Sequence, residues 1–359
     1  MAGAEAAVRL EGQASLPRYL GAASCSSSSC HGGAGEQHNQ FIVWSQRDFH
    51  QRASLILTNA RSARVAERLN INDASVSTRC TVCHSPLTTI SSARLSDKNH
   101  PDSGVSCESC HGPAEAWLRS HTRRDYTYAM RVSAGMRDLR NSYVRANACV
   151  ACHQTVDTDV VDAGHPRLVF ELSTQMKAQP PHWREPADSP VRAWLTGQAV
   201  ALRELSWKIQ GNDRNSDPDA LAQTGALAWL LSKVTSSDRS LPVILEDADS
   251  DTLRRAADQL ARHVSARTFE NGYSSTVLQM LISLATEFNR SSPVPGDVLF
   301  YRAKRVALAC VALSETSDYP PVASAELGRI LEDVSSPVNF NARAFAEHLA
   351  AWHITATTQ

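Results

Sequence analysis

Four cysteine pairs, each followed at once by a histidine, crowd the first 153 residues of this 359-residue chain and dictate what that half can be built from. The pairs are Cys25 and Cys30, Cys80 and Cys83, Cys107 and Cys110, and Cys149 and Cys152; the histidines are His31, His84, His111 and His153. Two thiols two residues apart can add to the two vinyl groups of one porphyrin, and the adjacent imidazole can bind its iron. Disulfides would not demand that histidine, and tetrahedral zinc would need two pairs per ion with no fixed neighbour. The spacing therefore reads as four covalently attached haem c groups. So little polypeptide separates Cys25 from His153 that neighbouring porphyrins must lie near contact, and the haems become the core.

The first pair departs from the rule, because Ser26 to Ser29 put four residues between its thiols and the loop must bulge. Gly32, Gly33 and Gly35 then release the chain into an expected helix over about 38–69, in which Phe41, Trp44, Phe49 and His50 recur at roughly helical spacing. Pro113 is a good first helical residue, and Trp117 and His121 follow it four apart on one face. His121 lies too close along the chain to cross its own haem, so a neighbouring haem is its target. Gly164 and Pro166 break regular structure around His165 and expose its imidazole on a fixed loop. His50, His121 and His165 are thus the expected distal iron ligands. The remaining haem takes His100, takes His182, or keeps an open position. Arg137, Arg140 and Arg145 read equally as a solvated face or as partners for haem propionates.

Pro180, Pro181, Pro186 and Pro190 form a stiff boundary, beyond which no cysteine motif occurs. Amphipathic helices are expected at about 190–210, 219–236, 249–266, 273–290, 297–315, 323–334 and 341–354. Cys310, in an apolar run, reads as a small buried hydrophobe. The expected fold is mainly α: a lead-in over 1–24, a multihaem cytochrome c domain with little regular sheet over 25–185, and an all-α domain over 190–359. That last domain would dock a partner or mediate self-association as a homo-oligomer, and its deletion would leave four haems in place.

A net charge of −1 gives no field that would favour nucleic acid or an anionic membrane, and no run of about 18 apolar residues marks a membrane span. C-x-x-C-H sites are filled outside the cytoplasm in bacteria, so a periplasmic or otherwise extracytoplasmic location and an export leader are expected. Met1 to Ala6 lack the charged and apolar regions of a leader, although Ala2-Gly3-Ala4 resembles the end of one. The leader is expected to have been trimmed, or the start site misassigned.

Gly104-Val-Ser-Cys-Glu-Ser-Cys-His-Gly-Pro113, with the order of the other three sites and the placing of Asp48-Phe49-His50 and Ser120-His121, resembles the tetrahaem cytochrome c-554 family over about 22–175. That family is known from a carrier that takes electrons from hydroxylamine oxidoreductase. The resemblance implies electron transfer between redox partner proteins through mostly bis-histidine haems. It also implies that His50 serves the third haem, His121 the fourth and His165 the first, leaving the second haem, on His84, open. An open haem would bind a small molecule. The alternative function is accordingly a haem oxidoreductase acting on a small nitrogen or oxygen species such as nitric oxide, hydroxylamine or peroxide. The four-residue spacer and the helical extension are departures from the family pattern.

Overall fold

A computed structural model describes residues 16–96, 104–154, 156–182, 190–211, 217–289, 294–314 and 324–357. His100 lies outside the described residues, as does the proline-rich boundary over 183–189. The protein is mainly α-helical. Among the described residues the β-type pairing is a single parallel bridge between Tyr19 and Leu95.

Three cysteine pairs ride on short helices, Thr78–His84, Cys107–His111 and Ser142–His153, while the first pair follows a 3-10 turn at Ala22–Cys25 and continues through a bulged loop. The helix expected over 38–69 is broken. Gln40–Arg47 ends at Asp48, a 3-10 turn occupies Phe49–Arg52, Ala53–Ile56 adds one turn, and Ala60–Arg68 begins afresh. Asp48 adopts extended backbone (φ −83°, ψ 126°) and its carboxylate accepts the His50 N–H, an N-cap that restarts the chain in a new direction. Asn59 does the same for Ala60–Arg68 by accepting from the Ser62 N–H at 2.9 Å.

The third site is tied down by its own spacer. Glu108 is 1% exposed, and its carboxylate accepts the backbone N–H groups of Leu20 (2.9 Å), Gly21 (2.7 Å) and Ala114 (2.7 Å). Arg137 Nη1 caps the other end of that helix by donating to the Ser109 and Cys110 carbonyls at 2.7 and 2.9 Å. Because three buried donors lose an anionic acceptor together, Glu108→Ala is expected to destabilise the protein by about 3 kcal/mol or more. A thermal midpoint unchanged in that variant would refute the clamp.

Beyond residue 190 the helices fall where hydrophobic periodicity puts them: Pro190–Gly211, Pro218–Ser237, Ser250–Ala266, Tyr273–Ser283, Gly296–Ser314, Ser324–Asp333 and Ala342–Thr357. The exception is the expected 273–290 helix, which breaks at Leu284 and resumes as Ala285–Phe288. Pro190–Gly211 is the central rod, packed against Ser250–Ala266, Pro218–Ser237 and Ser142–His153, the helix of the fourth cysteine pair. Trp194, Leu195, Leu202, Trp229, Phe345 and Trp352 are fully or almost fully buried in the core of this half, and Cys310 is buried as a small hydrophobe.

This core crosses the sequence boundary. Ala146 and Val150 of the fourth-site helix, with Phe170 and Leu172, belong to the same apolar cluster as the C-terminal helices. Gly197 makes the approach possible, since a Cβ there would meet the Leu172 Cβ at 2.7 Å. Polar ties follow the same path. Tyr143 Oη donates to Asp258 at 2.6 Å, Arg203 Nη1 reaches the same carboxylate at 2.8 Å, and the buried Arg305 donates to the Phe170 carbonyl at 2.7 Å. Beside it burial raises the Glu171 carboxyl to about 7, against the lowering effect of the Ser173 N–H, Arg305 and the Gln198 amide.

Candidate functional site

The motif histidines do not stand alone. His31 and His121 have ring centroids 6.1 Å apart and nearly parallel planes (14°). His50 and His153 are 6.0 Å apart at 83°, and His84 and His165 are 6.4 Å apart at 76°. Two imidazoles on opposite sides of one metal would show a closely similar separation. With a nitrogen–metal bond of about 2.0–2.1 Å and a ring radius of about 1.15 Å, the centroids fall about 6.4 Å apart.

In five of these six residues the second ring nitrogen is already engaged. His31 Nδ1 meets Gln40 Oε1 at 2.9 Å, His50 Nδ1 meets Asp48 Oδ1 at 2.9 Å, and His84 Nδ1 meets the Ala53 carbonyl at 3.1 Å. His121 Nδ1 meets the Leu118 carbonyl at 2.5 Å, and His165 Nδ1 meets the Pro166 carbonyl at 2.8 Å. Each of these oxygens only accepts, so Nδ1 carries the proton and Nε2 keeps the lone pair a metal needs.

His111 lies deepest. It is half-buried by surface area, but depth governs the cost of charging it: burial first, then the nearby His182, His31 and Arg137, push it down to about 4. His182 is held by a hydrogen bond with the Pro180 backbone, and burial pushes its pKa down as well. It is the distant histidine whose charge His111 feels most strongly. Burial likewise lowers His84, His121 and His153, so all of these rings are held neutral, the form that ligates iron.

The thiols join the four sites in single file. Those of Cys25 and Cys107 lie close enough to shift each other's titration, as do those of Cys83 and Cys152, and Cys110 lies within electrostatic reach of Cys149 and Cys152. The spatial order is thus first, third, fourth, second. Burial lifts Cys149 to about 12 and raises Cys110, while the neighbouring Cys25 and Cys83 thiols raise Cys107 and Cys152 first, with burial adding. Cys107, Cys110, Cys149 and Cys152 are thus held as neutral thiols and not as the preformed thiolates that would ligate a bare ion, while Cys25 and Cys83, the coupled partners, are lowered. Among the described residues no group of three or more His, Cys, Asp or Glu converges on a point where a metal ion would sit. Exposed apolar side chains stand next to two of the histidines in the chain instead: Phe49 directly before His50, and Val82 inside the second motif, surfaces that fit an apolar ring system.

The ring contacts do not follow the pairing that the family resemblance implies. His50 faces the fourth motif, not the third; His121 faces the first, not the fourth; His165 faces His84 of the second motif, which the resemblance left open. Local anchoring explains the differences. Arg61 Nη2 donates to the Gly164 carbonyl at 2.8 Å and Arg68 Nη1 to the Ala163 carbonyl at 3.2 Å, which fixes the loop that presents His165. His50 is set by Gly104, whose positive φ (+70°) brings it so close that a Cβ would lie 2.4 Å from the His50 carbonyl. The Val105 N–H donates to that carbonyl at 2.8 Å. Of the arginines before the fourth motif, Arg137 and Arg145 spend donors on backbone carbonyls, and Arg140 lies over the Tyr128 ring at 3.8 Å.

Sequence reasoning missed Asp48, Gln40, Glu108 and the Arg61–Arg68 pair. The only signal was Asp48 standing two residues before His50. That carboxylate is 2% exposed; burial raises its pKa, but bonds from the His50 ring, the Gln179 amide and the His50 N–H outweigh burial and hold it below the usual range.

The family model described as cytochrome c554 and c-prime matches residues 24–112, the stretch that holds the first three cysteine pairs. No curated protein and no solved structure matches the chain. The match supports a c554-type cytochrome domain over that stretch, and such a domain implies covalently held haem c and electron transfer. Among the described residues no helix is long and apolar enough to cross a membrane.

Proposed function

We propose, from a c554-type cytochrome domain as premise, that the chain is an extracytoplasmic tetrahaem electron-transfer protein working between redox partners. The observation that carries this reading is the facing of three motif histidines by three remote ones at 6.0–6.4 Å, each remote ring with Nδ1 already bonded. His31 and His121, His84 and His165, and His153 and His50 would hold three irons between them; His111, with His182 nearby, would hold the fourth. Bound haem supplies a one-electron ferric/ferrous couple, and two strong-field imidazoles keep both states low-spin. The chain's own part is to hold both rings of each pair, fix the tautomer and bring the four sites into single file. The first and second sites are the ends of that file and the natural points of exchange with partners.

His165 opposite His84 speaks against the alternative of an oxidoreductase at an open second haem. Mass spectrometry should find four attached haems, and magnetic circular dichroism should find no high-spin haem. His165→Ala should then create one high-spin centre that binds cyanide. A high-spin signal in the unmodified protein that His165→Ala leaves unchanged would refute the His84–His165 pair.

A further inference from the structure

Of the six histidine rings that face one another in pairs, five have a defined Nδ1 partner, and four of those partners are neutral: the Gln40 amide and the carbonyls of Ala53, Leu118 and Pro166. His50 differs. Its Nδ1–H donates to the Asp48 carboxylate at 2.9 Å, the same oxygen accepts the His50 backbone N–H at 3.0 Å, and Gln179 Nε2 donates to the other oxygen at 2.9 Å. At 2% exposure Asp48 is shielded from water, so its charge acts on the ring with little screening. The anion also lies within electrostatic reach of His182 and of Cys110 of the third motif.

We propose that Asp48 is a positioning residue that acts through His50 to make the haem shared by His50 and His153 the hardest of the four to reduce. This rests on the haem reading above. A carboxylate on the far nitrogen pulls the ring proton toward itself and makes Nε2 a stronger donor, which favours the ferric over the ferrous ion; a carbonyl or amide does so far less. The fourth site stands inside the file, between the third and the second, so an electron crossing from end to end meets its highest step there.

The test is a spectroelectrochemical titration of the full-length holoprotein and of Asp48→Asn, which keeps the size and an acceptor oxygen but removes the charge. The lowest of the four potentials should rise, with a shift of about tenfold in that haem's redox equilibrium, equivalent to about 59 mV for one electron. A second variant works in the opposite direction and does not depend on how well Asp48→Asn folds. Gln40→Glu places a carboxylate on the His31 nitrogen, and the potential of the haem held by His31 and His121 should fall. Four low-spin haems with unmoved potentials in Asp48→Asn, or no fall in Gln40→Glu, overturns the proposal and leaves the haem reading standing. Fewer than four bis-histidine haems in the unmodified protein overturns the reading itself, and the proposal with it.

Discussion

Replacing Cys107 and Cys110 together by serine is expected to cost the protein more than one haem. The third site is interior to the file, with the Cys107 thiol against Cys25 and the Cys110 thiol near Cys149 and Cys152. Its helix also carries the Glu108 clamp on Leu20 and Gly21. The loop that leads into it supports the backbone of His50 through Gly104 and Val105. Without a covalently held porphyrin at its centre, the first half has almost no apolar core of its own. Among the described residues its separate buried cluster is Leu57, Ala66 and Ala74, with Ile71 and Cys80 packed on it. Large core deletions cost about 2–5 kcal/mol, and emptying a porphyrin-sized site should exceed that. Mass spectrometry should therefore show species with two or fewer haems and a soluble yield reduced by at least about tenfold, since each 1.4 kcal/mol is a factor of ten in the folded ratio. Cys25→Ser with Cys30→Ser, at the end of the file, should remove one haem and leave the rest attached. Equal losses from the two double variants would show that the central placing of the third site carries no weight.

Truncation after residue 182 is the second large effect, and it reverses what the sequence alone suggests. A cysteine-free helical half behind a proline-rich boundary looks removable. The packing says otherwise, because Ala146, Phe170 and Leu172 are fully buried, and Val150 almost so, in one cluster with helices that the truncation deletes. Exposing Phe170 and Leu172 alone costs about 3–6 kcal/mol, against a typical total stability of about 5–15 kcal/mol. Tyr143 and Asn147, on the fourth-site helix, lose Asp258 and Arg203, and the Phe170 carbonyl loses Arg305. The truncated chain should aggregate or lose the haem on Cys149 and Cys152, as read by attached-haem count and soluble yield. A soluble fragment with four haems and an unchanged melting temperature would establish that the halves are independent.

What was legible in the chain follows the range over which each interaction acts. Attachment chemistry is local: two thiols and an imidazole within a few residues mark a candidate haem site whatever surrounds them, so Cys107, Cys110 and His111 stand out directly as one. The C-terminal helices were legible for a similar reason, since a 3.6-residue apolar period is the imprint of one buried face. The break at Asp48 was not, because a local acceptor for the His50 N–H outcompeted helix continuation in a segment whose composition favours a helix.

The remote histidines were legible as candidate ligands and not as members of particular ring pairs. The isolation of His165 between Gly164 and Pro166 marks it as an exposed imidazole, yet its turn toward His84 depends on Arg61 and Arg68, about a hundred residues earlier in the chain. Asp48 next to His50 is visible in the sequence, but its burial, and hence the force of its charge on that ring, exists only once Gln179 has closed over it. The sequence by itself marked out four thiol pairs with adjacent imidazoles as candidate porphyrin sites, because covalent spacing needs no fold. Only the tertiary structure decided which histidines face each other, in what order the sites stand and that the helical half shares their core, because those relations are set by contacts between segments that no local pattern connects.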